Sequence, residues 1–502
     1  MNLATAVGVL RCLAVTLASM SISALPRSSP ESKGVDPAGI LAFLDRLESA
    51  PDIEMHSLMI IRHGQVVAEG WWSPYAPEHV HLLYSLSKSF TSTAAAFAVA
   101  EGLLNLDATV LSYFPELDSE ITDRRSRSML VRHVAAMASG HLEETLERAL
   151  ALDPVEPVRG FLLIPPDQEP GSVFAYNQPC TYSLAAIIQR LTGQTLTEYL
   201  RPRLFDPLGI GQVGWQQHPD GRDIGYSGLH ATTDAIARLG LLYLQRGVWN
   251  GQRLLSEQWV ADATRRQIES LGGPNESKPD WQQGYGFQFW MARHGYRGDG
   301  AYGQFCVVLP EQDAVIATTA ATENMQGILE AAWTHLLPAM TATMMEPSPV
   351  AEQLAARLEA LQLAAFQAKP APDSPVTAWA DASFRPAGGQ CEAQRTLTGV
   401  QLRQDGELWR LTFVEDDDAF SATVGAGGWH TNLTETDHGR TGVPLAVSGG
   451  WTDEHTFGAD VIFLETPHRL ELTCSRRTGT FKASWRTAPL HAGSLSELRM
   501  PR

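Results

Sequence analysis

From Ser85 to Leu104 the chain reads Ser-Leu-Ser-Lys-Ser-Phe-Thr-Ser-Thr-Ala-Ala-Ala-Phe-Ala-Val-Ala-Glu-Gly-Leu-Leu. A helix with this composition has no charged face and is stable only when buried on all sides. The rest of the chain must therefore wrap around it. Its one cation, Lys88, opens the helix, with Ser85 one turn earlier on the same face. The chain has only five lysines, Lys33, Lys88, Lys278, Lys369 and Lys482, and only Lys88 has a serine three residues before it. A buried lysine is rare unless it has a partner or a task. An amine beside a serine hydroxyl at the positive end of a helix can help remove the hydroxyl proton. The bland alternative is a helix cap at Ser85 and a snorkelling Lys88.

Composition narrows the options. The chain has 502 residues, 44% of them hydrophobic and 19% charged. That is a globular composition with room for about three domains at roughly 150 residues each, and two are also compatible. A formal charge of -18 disfavours nucleic acid or an anionic membrane as partner. Beyond the N-terminus no apolar run reaches the length of a membrane span. The five cysteines, Cys12, Cys180, Cys306, Cys391 and Cys474, are scattered and odd in number. Their spacing fits neither a disulfide framework nor a metal site. No HExxH, P-loop or dinucleotide fingerprint is present, so no cofactor is expected. Residues 1–24 read either as a signal peptide or as a disordered extension. The late Arg11 and an apolar run broken by Thr16, Ser19, Ser21 and Ser23 favour the extension, and with it a cytoplasmic protein.

The periodicity predicts a helix over Asp36–Ala50, then a hairpin of Ser57–Arg62, His63-Gly64 and Gln65–Trp72. Helices are expected over 104–114, 129–139, 142–152, 182–191, 196–204, 234–246 and 256–263. A Gly-Gly-Pro-Asn loop is expected over 272–278. Strands are expected at Gly286–Trp290, Tyr302–Leu309 and Ala314–Thr319, and a helix at Met325–Leu337. This is an α/β (α+β) domain over 25–345, an antiparallel sheet with terminal helices and a large helical middle. Residues 346–375 form a helix and a Pro-rich linker. From 376 to 502 short alternating runs predict an all-β domain, a small sandwich or barrel.

Taken with its context, Tyr84-Ser85-Leu86-Ser87-Lys88-Ser89-Phe90-Thr91-Ser92 resembles the first motif of the serine hydrolases related to class C β-lactamases. These include penicillin-binding D-amino acid peptidases, β-lactamase-like esterases and 6-aminohexanoate-dimer hydrolases. Arg132–Gly140 looks like the family's helix ending in Ser-Gly, and Trp249–Leu255 is similar as well. Tyr176 falls where the second motif, Tyr-x-Asn, begins. The sequence there is Tyr176-Asn177-Gln178, so Gln178, or Asn177 from the next position, would supply the amide. The third motif, Lys-Thr-Gly or His-Thr-Gly, falls on Gly298-Asp299-Gly300, where the cation is missing. The aspartate would repel the substrate carboxylate and would suit a substrate amine; Arg297 or His294 are the candidates to replace the cation.

The resemblance implies an acyl-enzyme on Ser85, with Lys88 and Tyr176 sharing its proton and both having lowered pKa values. The backbone N–H groups of Ser85 and Ala301 would hold the oxyanion. The substrate is expected to be a small ester or amide. The alternatives are a true β-lactamase or D-alanyl-D-alanine carboxypeptidase, and a catalytically silent binding protein of the same fold. Oligomeric state stays open.

Overall fold

The computed structural model describes residues 24–271, 277–369, 379, 381–416, 418–434 and 442–501. The possible signal peptide and the Pro-rich linker, like most of the expected 272–278 loop, lie outside them. Helix α1 (Pro37–Glu48) begins with Asp36 as its cap, the carboxylate accepting from Ala38 N–H at 2.9 Å. Strands β1 (Glu54–Arg62) and β2 (Gln65–Trp71) form the expected hairpin. A large helical region follows, with α2 (Ser87–Ala100), α3 (Gln178–Thr192) and α4 (Thr233–Leu244). The chain then returns to the sheet as β3 (Trp290–Met291), β4 (Tyr296–Gly300), β5 (Gln304–Leu309) and β6 (Ala314–Ala321). The sheet order is β2-β1-β6-β5-β4-β3, antiparallel throughout. Helix α4 packs along β1, β5 and β6, and α5 (Met325–Ala331) packs with α1.

Helix α2 is the buried axis that its sequence requires: Ser87 to Ala98 are all buried. Its hydroxyls are satisfied without water. Ser89 and Ser92 donate to the carbonyls of Gln288 and Phe287, and Thr91 donates to Gly225. Thr93 is bonded to Ser89 and Tyr243. A buried hydroxyl left unpaired would cost about 1–3 kcal/mol, so these bonds are the condition for placing a polar helix in a core.

Several expected elements are shorter than the periodicity indicates. Ser85 lies in a 3-10 turn, Tyr84–Leu86, and α2 proper starts at Ser87. Only Val110–Tyr113 of 104–114 is helical, as a 3-10 turn. Only Val131–Ala135 of 129–139 is α-helix, because Met137 takes φ +57° and breaks the run. The helix over 142–152 starts at Leu146, and the one after Pro349 ends at Glu359. Gly286–Phe289 is no strand. Gln288 has φ +63°, and its side-chain amide donates to the carbonyls of Val134 and Ala135, so the aromatic residues here fill a core without joining a ladder. Tyr302 and Gly303, at φ +70° and +92°, make the turn between β4 and β5, so that strand begins at Gln304.

The C-terminal region is the expected all-β unit, and it is a barrel. Its strands are β7 (Asp381–Pro386), β8 (Leu397–Asp405), β9 (Leu408–Glu415), β10 (Ala419–Ala426), β11 (His430–Leu433), β12 (Pro444–Asp453), β13 (Thr456–Phe463), β14 (Arg469–Ser475) and β15 (Thr480–Thr487). They run in the order β10-β9-β8-β7-β15-β14-β13-β12-β11, and a β10–β12 pairing closes the ring. Closure removes exposed sheet edges. A separate core of Phe384, Leu402, Leu411, Phe413, Val447, Phe457 and Leu472 fills the interior.

The barrel packs firmly on the first unit. Ala446, Ile462 and Leu464 join the large core. Arg469 reaches across to Glu54 at 2.8 Å and also holds Asp460 at 2.5 Å. Burial by itself would raise the Glu54 pKa. The contact with His56 and the Arg469 charge outweigh it and bring the carboxyl to about 2. A carboxylate held that low contributes stability above its unfolded pKa of about 4.3, and loses it as pH falls toward the folded value. Arg469→Met removes the nearer of the two arginines beside the buried Glu54 and leaves Arg486 Nε at 3.4 Å. The expected outcome is a loss of about 3 kcal/mol in urea unfolding at neutral pH, and, because the folded Glu54 pKa rises toward its unfolded value, a smaller further loss between about pH 4 and about pH 2. An unchanged unfolding midpoint would contradict this view of the interface.

Candidate active site

Strand β4 comes so close to the Ser85 turn that only glycine fits. A Cβ on Gly300 would run into the Leu83 carbonyl, and one on Gly298 would lie 2.5 Å from Leu86 Cδ1 and Ser89 Oγ. Both glycines thus face the Ser85 turn, and their contribution is close backbone approach. Beyond them, Ala301 is half-buried, and its carbonyl accepts from Gln304 Nε2 at 3.0 Å, which fixes that peptide at the end of β4.

Lys88 is 1% exposed, whereas Ser85 is only half-buried, so the hydroxyl lies where amine and cleft meet. Lys88 Nζ is 3.0 Å from Ser85 Oγ, 2.6 Å from Gln178 Oε1 and 2.7 Å from the Tyr226 carbonyl. Burial drives the Lys88 pKa down to about 7, against the opposing charges of Glu144 and Asp299. Near neutrality a large share of this lysine is therefore a free amine. The Gln178 and Tyr226 oxygens can only accept, so a neutral amine gives them its two N–H groups. Its lone pair is then left for the Ser85 hydroxyl.

Tyr176 stands at the mouth of α3. Its ring stacks on Trp290 with centroids 5.3 Å apart and meets Tyr285 edge-on. Lys88 Nζ sits over the face of this ring, 4.7 Å from its centroid. The expectation of a lowered Tyr176 pKa is not met. Burial and the Asp299 charge raise it well above the ordinary value, although hydrogen bonding with Ser85 pulls the other way. The amine lies against the ring face and does little for the phenolate, so Tyr176 stays a phenol, a proton donor aimed at Ser85.

The two amide candidates separate. Gln178 is the residue that touches Lys88. Asn177 is fully buried and turned to Thr145, whose N–H and hydroxyl both donate to its Oδ1 at 3.0 Å. It ties the loop before α3 and does not reach the amine. Asp299 also differs from expectation. Its carboxylate is paired with Arg297 Nε at 3.0 Å. Arg297 is completely buried, its guanidinium 4.3 Å from the Trp281 ring centroid and bonded to the carbonyls of Asp280 and Met291. The Asp299 charge is therefore balanced from behind, and burial raises its pKa despite that cation. This weakens both the expected repulsion of a carboxylate and the expected attraction of an amine. His294 stacks edge-on against Trp333 and takes no part.

Two neighbours carried no sequence signal. Glu144 accepts from the Gln178 backbone N–H at 3.0 Å, anchoring the first turn of α3, and its charge acts on Lys88. Tyr226 supplies a carbonyl to Lys88 from a loop with no motif. Among the described residues no cluster of His, Cys, Asp and Glu could hold a metal ion.

Residues 45–339 match the family described as Beta-lactamase. A 6-aminohexanoate-dimer hydrolase from Paenarthrobacter ureafaciens is 26% identical over 314 residues, covering 56% of this chain and 78% of the relative. Penicillin-binding protein 4 from Amycolatopsis lactamdurans is 25% identical over 316 residues, covering 53% and 80%. The solved structure of EstCE1, a hydrolase with promiscuous acyltransferase activity, shares the fold at 16% identity. Its TM-score is 0.50, over 59% of this chain and 98% of that one. With a family match that spans more than half of its length, this chain belongs to the beta-lactamase family and is a serine hydrolase.

Proposed function

We propose that the protein hydrolyses a small ester or amide through an acyl-enzyme on Ser85, with Lys88 as general base and Tyr176 as proton donor. One observation carries this reading: the buried Lys88 Nζ is 3.0 Å from Ser85 Oγ and within 2.7 Å of two acceptor-only oxygens, so a neutral amine that donates to those two has its lone pair left for the Ser85 hydroxyl. In the first step Lys88 takes the Ser85 proton as Oγ bonds to the substrate carbonyl carbon. The oxyanion is held by the backbone N–H groups of Ser85 and Ala301. The bond to the leaving oxygen or nitrogen then breaks. Tyr176 gives the leaving group its proton and is refilled from Lys88. Water next attacks the acyl carbon as the Lys88–Tyr176 pair, neutral again, takes one of its protons, and that proton passes to Ser85 Oγ as the bond to the acyl carbon breaks.

The penicillin-binding relative raises the alternative of a β-lactam or D-alanyl substrate. A specific observation argues against it. The only cation on the third-motif strand, Arg297, is fully buried, with Nε on Asp299 and Nη1 on two carbonyls, and its unpartnered Nη2 has no exposed surface to present to a substrate carboxylate. The amide-hydrolysing relative suits the chosen reading better.

Turnover of p-nitrophenyl butyrate is expected to exceed that of a chromogenic cephalosporin and to vanish in Ser85→Ala, together with fluorophosphonate labelling. Faster turnover of the cephalosporin would reverse the substrate assignment. Lys88→Met is expected to slow acylation by about 10²–10⁴-fold, and wild-type rates in that variant would remove Lys88 as the base. The pH profile of kcat/KM is expected to rise through about 7 as Lys88 loses its proton. The Glu144 charge opposes that loss, so in Glu144→Gln the rise should move to lower pH. A profile flat across this range, or a shift in the opposite direction, would contradict the assignment.

A further inference from the structure

Two non-glycine residues that flank the proposed oxyanion donors lie in the left-handed region: Tyr84 at φ +48°, just before Ser85, and Tyr302 at φ +70°, just after Ala301. Such a conformation persists only where the surroundings hold it. The carbonyls are held within the first unit, Tyr84 by Ser87 Oγ at 2.6 Å and Tyr302 by Thr322 N–H at 3.2 Å, but both hydroxyls are held by the C-terminal region. The Tyr84 hydroxyl is 2.8 Å from His468 Nε2, and the Tyr302 hydroxyl donates to the Ala488 carbonyl at 2.7 Å. The histidine tautomer follows from its other bond. His468 Nδ1 lies 3.1 Å from the Thr487 carbonyl, which can only accept, so Nδ1 carries the proton and Nε2 receives the Tyr84 hydroxyl. Burial lowers the His468 pKa to about 3, so this arrangement persists through the neutral range.

The three rings interlock. Tyr84 meets Tyr302 edge-on at 5.6 Å, and His468 meets them edge-on at 5.9 Å and 6.0 Å. Tyr84 and His468 both border a cavity of about 130 Å³, also lined by Gln216 and Ser227. With that space beside the packed ring, the Tyr84 hydroxyl is fixed by His468 and by the Leu490 backbone, both in the C-terminal region.

We infer that the barrel is a working part of the hydrolase site: His468, acting through Tyr84, and Ala488, acting through Tyr302, set the two backbone segments that present the oxyanion donors. His468 is a positioning residue, remote from the reacting atoms. The inference rests on the reading of Ser85 N–H and Ala301 N–H as the oxyanion donors. A donor moved off its target loses most of its value to the transition state and little of its value to ground-state binding.

The test compares wild type with Tyr84→Phe, His468→Phe and His468→Gln in the full chain, using p-nitrophenyl butyrate kinetics. Tyr84→Phe and His468→Phe keep a ring in place and remove the bond. Each is expected to lower kcat by about 10–100-fold, less than the loss of a whole donor, with KM within about 2-fold and the pH midpoint set by Lys88 unmoved. His468→Gln keeps an acceptor for Tyr84 and a donor for Thr487, and should recover most of the lost rate. Wild-type kcat in Tyr84→Phe would overturn the inference, as would a Gln variant no better than the Phe variant. Wild-type protein with no Ser85-dependent turnover would instead overturn the hydrolase reading beneath it. Ser85-dependent turnover that His468→Phe leaves untouched would sink the positioning role alone.

Discussion

Lys88 has been taken out of water, and the architecture around it answers to that. An ammonium in a core is expensive unless it is paired or gives up its proton. Here the protein does both in part. Three oxygens surround Nζ, and burial brings the pKa down to about 7, where the charged and free forms coexist. The buried helix sets the amine in place, α3 brings Gln178 to it, and Glu144 anchors the start of α3. Strand β4 can approach the serine turn because Gly298 and Gly300 have no side chains to obstruct it. The same burial that lowers the Lys88 pKa raises that of Tyr176, so one environment pushes the two neighbours toward free amine and phenol.

Much of this was legible in the sequence because it depends on local pattern. A charge-poor helix with a single lysine at its start can belong only in a core, and five lysines in 502 residues make that position conspicuous. The hairpin, the terminal helices and the β-rich C-terminal region follow from periodicity and turn residues. The parts that were misread depend on what packs against what. Aromatic alternation over Gly286–Trp290 looks like a strand, yet Gln288 spends its amide on the 131–135 helix and the chain turns there. Tyr176 was expected to be acidified by an adjacent cation, but the cation faces its ring and burial dominates. Arg297 and Asp299 are two apart on one strand and so share a face. That was available from spacing, but the complete burial of Arg297 was not.

The barrel is the part whose role local pattern could least convey. His468 meets Tyr84 across 384 residues of chain, and no motif marks the His468 end. Its interface is polar as well as apolar, with Arg469 bridging Glu54 and Asp460 while Tyr75 donates to the Thr466 carbonyl. An attachment that uses a buried ion pair is specific in register, since a slipped barrel would strand charges in a dry interface. That register sets the three-ring contact beside the Ser85 turn.

The most direct measurement of the central claim is the proton affinity of Lys88 itself, read by titrating its ε-ammonium resonance in ¹⁵N-labelled protein. With so few lysines the signal can be assigned by comparison with Lys88→Met. The account requires a midpoint near about 7. A midpoint at the ordinary value of about 10.4 would mean a fully charged ammonium at neutral pH, with no lone pair to receive the serine proton.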